Sequence, residues 1–122
     1  MKQIEATISI NAQPSVIWHV LTDFENYRHW NPFIIASKGE PIVGQLLHNT
    51  LSLKEDKQVE FKPEILVVNP QNELRWKGKL YVKGLFDGEH YFQLKTLADG
   101  TTLLTHGECF TGLLSTPLFF LH

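Results

Sequence analysis

At 122 residues the chain has room for one hydrophobic core and not for two, so a single domain spanning residues 1–122 is expected. Its 43% hydrophobic and 20% charged residues are those of an ordinary soluble globular protein, and a net charge of −2 without a basic run excludes a surface built chiefly for nucleic acid or anionic membrane. The one cysteine, Cys109, excludes an internal disulfide framework and a thiolate metal site, and the lack of a leader-like or membrane-length apolar run makes the cytoplasm the expected compartment.

Ile4, Ala6, Ile8 and Ile10 alternate with Glu5, Thr7 and Ser9, the pattern of a half-buried strand. Pro14 stands where a first helical turn would begin, and Val16, Ile17, Val20 and Leu21 follow at helical spacing. Asp23 to Trp30 is predicted as a second short helix, stopped at Asn31-Pro32 because a residue before proline avoids the helical region. Gly39 to Gly44 is rich in turn formers. From Gln45 onward the chain reads as antiparallel strands joined at Glu55-Asp56-Lys57, Asn69-Pro70-Gln71-Asn72, Lys83-Gly84 and Ala98-Asp99-Gly100. Strand, two helices, then a long antiparallel meander is an α+β pattern. In Leu113 to His122, broken by Pro117, any isolated helix is marginal.

Paired residues must point to the same face of a sheet, which allows the strand registers to be tested. With Phe86, Gly88, His90, Phe92 and Leu94 inward, and Leu104, His106, Glu108 and Phe110 inward too, a three-residue Ala98-Asp99-Gly100 loop sets His90 opposite Glu108 and Phe92 opposite His106. A turn centred on Lys83 sets Gly78 opposite Gly88 and Trp76 opposite His90; the four-residue Asn69–Asn72 turn sets Ile65 opposite Trp76. The expected result is a lateral row, Ile65–Trp76–His90–Glu108, with His106 diagonal to His90 and neighbours within about 5.5 Å at Cβ. Gly78 and Gly88 adjoin the row and are expected to leave space above it.

The His90/Glu108 pair carries the sharpest chemistry. A carboxylate-paired imidazole can orient a polar ligand group or move a proton, and the same pair also serves as a satisfied polar contact that fixes register. His90 and Glu108 are therefore the catalytic candidates if there is catalysis. Two histidines and a glutamate match a zinc ligand set in type, but their strand spacing carries no metal signature, so no metal or cofactor is expected. Trp76 and Trp30 are aromatic packing residues able to line a pocket. Asn49 shares parity with Leu47, Leu51 and Leu53 and is expected inward, whereas Glu73, Arg75, Lys77 and Lys79 form the opposite, solvated face. No nucleophile elbow or phosphate-cradling glycine motif occurs.

The stretch Ile8 to Phe33 (ISINAQPSVIWHVLTDFENYRHWNPF), with the WKG of Trp76–Gly78, the GEHYF of Gly88–Phe92 and the HGECFTG of His106–Gly112, resembles the SRPBCC (START-like) superfamily, in particular its polyketide cyclase/dehydrase-like branch. The resemblance runs over nearly the whole chain. It implies a helix-grip fold, in which a curved antiparallel sheet wraps a long C-terminal helix around a hydrophobic cavity, with lipid, sterol or polyketide-like ligands. It implies that Trp30, Phe33, Trp76, His90, Phe92, His106, Glu108 and Phe110 fall on cavity-side positions, and these, with Asn49 and Phe61, are the expected ligand-binding residues. A spanning C-terminal helix would need about 25 residues at ~1.5 Å each, so that helix is expected to be short or incomplete here. Leu113 to Leu121 would then bury itself in the groove or in a partner subunit, giving a homodimer through tail or groove.

The leading expectation is a binder of a hydrophobic small molecule, held at its polar end by His90, His106 and Glu108. A cyclase or dehydratase using the His90/Glu108 pair is the enzymatic alternative. An interaction module whose apolar groove accepts a partner's helix is the third.

Overall fold

The computed structural model describes residues 2–52, 56–79 and 87–111, with the side chains of residues 2, 79, 87, 110 and 111 excepted. The first strand, β1 (Lys2–Ile10), leads into α1 (Pro14–Thr22) and a 3₁₀ segment (Phe24–His29). Seven further strands follow: β2 (Ile34–Lys38), β3 (His48–Ser52), β4 (Gln58–Phe61), β5 (Glu64–Asn69), β6 (Glu73–Lys79), β7 (Asp87–Thr96) and β8 (Thr102–Thr111). Pro14 opens α1 as expected, since its missing N–H costs nothing in a first turn. The second helix is a tighter 3₁₀ segment and not α-helical; Asn26 and Trp30 donate their N–H groups to the carbonyls of Asp23 and Tyr27, three residues back. Where it stops, Asn31 Oδ1 accepts the N–H groups of Phe33 and Ile34 at 2.9 and 3.0 Å, an Asx turn that delivers both apolar side chains to the core.

The strands form an antiparallel five-stranded sheet in the order β1-β8-β7-β6-β5 and a three-stranded one, β2-β3-β4. One bent strand joins them. Asn49 pairs with Phe61 in β3/β4, and Leu46 bridges Glu64 in the same register beyond Lys62-Pro63. The Leu47 and Ile65 N–H groups, bonded to Pro63 O and Gln45 O, continue that ladder. Proline cannot donate to a ladder, so the bend falls at Pro63, which is itself buried. The effect is a sheet folded across its own inner face, bringing Phe61 of β4 against Gly78 of β6.

The core lies between that face and the helical elements. Ile17 and Leu21 of α1 and Phe24 and Tyr27 of the 3₁₀ segment pack with Ile65, Leu74, Trp76, Phe92 and Leu94 of the sheet. Tyr27 donates its hydroxyl to Leu21 O, satisfying a buried polar atom, and Thr102 Oγ1 donates to Ala12 O at 2.7 Å, tying β8 to the link before α1. At the β1 edge the half-buried expectation meets a difference. Ile8 pairs with Leu104 and is 59% exposed, and Ala6 is exposed as well. The helical elements cover β6 and β7 and leave this edge open among the described residues.

The outer face is more than a solvated surface. Tyr91, only 2% exposed, lies across Gly107 with Arg75 4.6 Å above its ring, and its hydroxyl donates to Glu5 at 2.6 Å and accepts from Gln3 at 2.7 Å. Arg75 also bridges Glu73 and Glu89 at 3.1 and 3.2 Å. A Cβ on Gly107 would stand 2.1 Å from the Tyr91 ring, so glycine is required here by close approach. Gly107→Val is expected to cost about 2–3 kcal/mol, by overpacking and by expelling Tyr91 from its hydrogen bonds. Urea melts should show a lower midpoint at unchanged slope; a midpoint equal to wild type would contradict the packing described.

Candidate functional site

The lateral row exists. Ile65 pairs with Trp76, Trp76 with His90 and His90 with Glu108, while Phe92 pairs with His106 and Gly78 with Gly88. Gly100, at φ 86, takes the left-handed position in the loop that sets the β7/β8 register. The turn centred on Lys83 lies outside the described residues, as do Phe86 and the C-terminal stretch Leu113–His122. Phe110 pairs through its backbone with Gly88.

Around His90 the aromatic rings close in. Its imidazole stacks on the Trp76 indole at 5.0 Å between centroids and 9° between planes, and Phe92 meets it edge-on at 5.0 Å. His106 stacks on Phe92 at 4.7 Å, and the Nε2 atoms of His90 and His106 are 2.6 Å apart, so one ring donates and the other accepts. Phe24, 6.4 Å from Trp76, closes the helical side. Among the described residues, Glu108 Oε2 and Trp76 Nε1 find no hydrogen-bond partner, although each residue is only 1% exposed.

Burial sets the charge state. Desolvation raises the Glu108 carboxyl to about 8 and lowers the His106 imidazole to about 4. His90 is driven well below the usual histidine value, first by desolvation and then by repulsion from His106. Near neutrality the cluster therefore holds a protonated carboxyl and uncharged imidazoles: a proton donor and acceptors in a wall of aromatic rings. No three histidine, cysteine, aspartate or glutamate side chains among the described residues are grouped to hold a metal ion.

The other predicted positions separate. Asn49 is buried beside Leu47 and Leu51, where Ser37 donates to its Oδ1 at 2.5 Å and its Nδ2 finds no partner among the described residues. Phe33 and Phe61 are core residues. Phe61 occupies the space expected to be open above Gly78: a Cβ there would stand 2.1 Å from its ring. Trp30 is 44% exposed and leans on Tyr27 at 4.6 Å, away from the row. The sequence reading missed Phe24, Tyr27 and Ser37. The i, i+3 spacing of Phe24 and Tyr27 in a tight helix was the available signal, whereas nothing in sequence pairs Ser37 with Asn49.

Residues 1–119 match the family described as polyketide cyclase / dehydrase and lipid transport. No curated protein matches the sequence. Among solved structures, a START superfamily protein from Mycobacterium smegmatis is 20% identical with a TM-score of 0.70, covering 94% of this chain and 80% of its own. Major latex-like protein 151 from Panax ginseng is 14% identical with a TM-score of 0.76, covering 98% and 87%. DynU16, a putative protein in the dynemicin biosynthetic locus, is 16% identical with a TM-score of 0.70, covering 97% of this chain and 39% of its own. These similarities establish the helix-grip, α+β fold with two short helical elements after the first strand.

Proposed function

Because the chain belongs to the polyketide cyclase / dehydrase and lipid transport family, we propose that it binds a hydrophobic small molecule, lipid- or polyketide-like, between the sheet and the helical elements. The ligand's polar end is received by His90, His106 and Glu108 and its apolar body by Trp76, Phe92 and neighbouring core rings. One observation carries this reading: a carboxyl oxygen of Glu108 is sealed from solvent without a hydrogen-bond partner among the described residues. An orphaned buried polar atom costs about 1–3 kcal/mol, and a ligand that satisfies it explains why the position is not apolar. The cytoplasm is the proposed compartment; among the described residues no helix is long and apolar enough to cross a membrane. A homodimer formed through the C-terminal tail or groove belongs to the same reading.

Native mass spectrometry of protein purified from its own host, followed by denaturing extraction, tests this. A retained apolar molecule, bound less tightly by His90→Ala and Glu108→Ala, is expected. An affinity unchanged in both variants would end the anchoring role.

One observation favours an enzymatic reading. Glu108 holds a proton to about pH 8 in the same cluster as an uncharged imidazole, which places an acid near a base, as cyclisation or dehydration of an enolisable polyketide requires. Turnover with a rate profile flat across neutrality would count against it.

A further inference from the structure

Among the described residues the inner face carries polar groups but no cation. Lys38, Lys57, Lys62, Lys77, Lys95 and Arg28 are all exposed, and Arg75 lies on the outer face between Glu73 and Glu89. On β6, β7 and β8 the described positions nearest Glu108 on the inner face are apolar, glycine or histidine: Leu74, Trp76 and Gly78, then His90 and Phe92, then Leu104 and His106; Thr102, farther along β8, is uncharged and donates to Ala12 O. A ligand carboxylate brought to this wall would lose its hydration and meet no lysine or arginine of the described residues in return. Removing an ionised group from water without a paired charge is far costlier than removing a neutral carbonyl, which needs only one donor.

The donors are present. Trp76 Nε1–H can only donate, and it is buried without a partner among the described residues. Glu108 Oε2 is equally sealed. We infer that the group this wall receives at Glu108 is an uncharged hydrogen-bond acceptor, a ketone or ester carbonyl, to the exclusion of carboxylates. The inference rests on the ligand-binding reading and narrows its ligand class. Carboxyl and indole N–H lie on β8 and β6, on either side of His90 of β7, so either can supply the donor to an acceptor at this wall. The raised carboxyl value of Glu108 agrees with this, because a carboxyl that keeps its proton at neutral pH donates to a carbonyl oxygen.

Two probes with the same alkyl chain separate the possibilities: methyl undecyl ketone and laurate, titrated calorimetrically at neutral pH into the full chain freed of bound lipid. The ketone is expected to bind at least about tenfold more tightly than laurate, a difference of about 1.4 kcal/mol. With a carbon-13-labelled carbonyl, its infrared stretch should fall to lower frequency on binding, remain low in Glu108→Gln, which keeps a donor, and rise in Glu108→Leu, which does not. Laurate binding as tightly as the ketone would overturn the ligand class while leaving the binding reading intact. A carbonyl frequency equal in wild type and Glu108→Leu would remove Glu108 as the donor. Binding of neither probe would bring down both readings together. The wild-type affinity ratio stands independently of how well either variant folds.

Discussion

Glu108→Gln is expected to make the protein more stable than wild type at pH 8.5, by about 5 kcal/mol, and to leave it close to wild type near pH 4.5. The folded carboxyl keeps its proton to about pH 8, while an unfolded chain releases it near 4.5. Its contribution is thus whole below 4.5 and lost as pH rises to 8. The histidines act in the opposite direction. Folding holds His106 and His90 uncharged, His106 down to about 4, so their contribution is whole above 6.5 and lost as pH falls below it. Between 4.5 and 6.5 the unfolded chain carries a proton on each imidazole and none on the carboxyl, whereas the fold carries one on the carboxyl. One histidine therefore cancels Glu108 and the other leaves a net acid sensitivity of about 1.4 kcal/mol per pH unit.

Wild-type stability should consequently peak near pH 6.5 and fall on both sides, by about 2 kcal/mol toward pH 8. In Glu108→Gln the alkaline limb should vanish and the acid limb steepen. Glutamine fits the test because it keeps a donor and an acceptor at similar volume, so a change in stability reports the charge and not a cavity. Urea melts at pH 5.5, 6.5 and 8.5 read the whole pattern. A wild-type protein as stable at 8.5 as at 6.5 would show that Glu108 is solvated in the fold, and with it would go the sealed polar cluster.

The row of side chains was legible because sheet parity is unforgiving. A slip of one residue would have put Trp76, His90 and Glu108 on the outer face, and the hydrophobic pattern allowed only one choice. The Ile65–Trp76 pair is instructive: the Asn69–Asn72 turn closes, with the Asn72 N–H on Asn69 O at 2.9 Å, but the strands leave it one residue off the register expected from it. Asn69 pairs with Glu73, and an irregularity between Ile65 and Val67 restores the pairing further along. A correct contact was reached through two compensating departures, since burial of Ile65 fixes the register more strongly than the turn does. The contact between His90 and His106 was readable only as a diagonal, because side-chain torsions decide which diagonal partner is reached. The direction of Trp30 was not readable for the opposite reason. Beyond the last 3₁₀ turn no periodicity governs direction, and its ring went to the flank of Tyr27. The space above Gly78 could not be foreseen either, since it depends on a bend at Pro63 that carries Phe61 over from a strand distant in sequence.

Trp76→Ala is the change expected to lower stability most, by about 3–5 kcal/mol, or a melting temperature drop of about 10–20 °C. The indole is 1% exposed and touches three rings from two elements: Phe24 of the 3₁₀ segment, and His90 and Phe92 of β7. Removing it leaves a hole that these rings can fill only by abandoning their own contacts, so most of the cavity cost should be felt. It also strips the imidazole of its stacking partner and admits water. With its desolvation relieved, the His90 imidazole should titrate closer to the usual histidine value, an upward movement visible in its ring proton shifts across pH. Trp76→Phe should cost less, because it keeps an apolar ring and removes an indole N–H that has no partner among the described residues. Added methyl undecyl ketone then separates wall from core. If Trp76 lines the ligand site, an alkyl chain can fill part of the hole, and the ketone should stabilise Trp76→Ala more than it stabilises wild type. If Trp76 is wholly enclosed by protein, the ketone should restore nothing, and the polar cluster beside it would be a means of fixing strand register and not a place where a ligand is received.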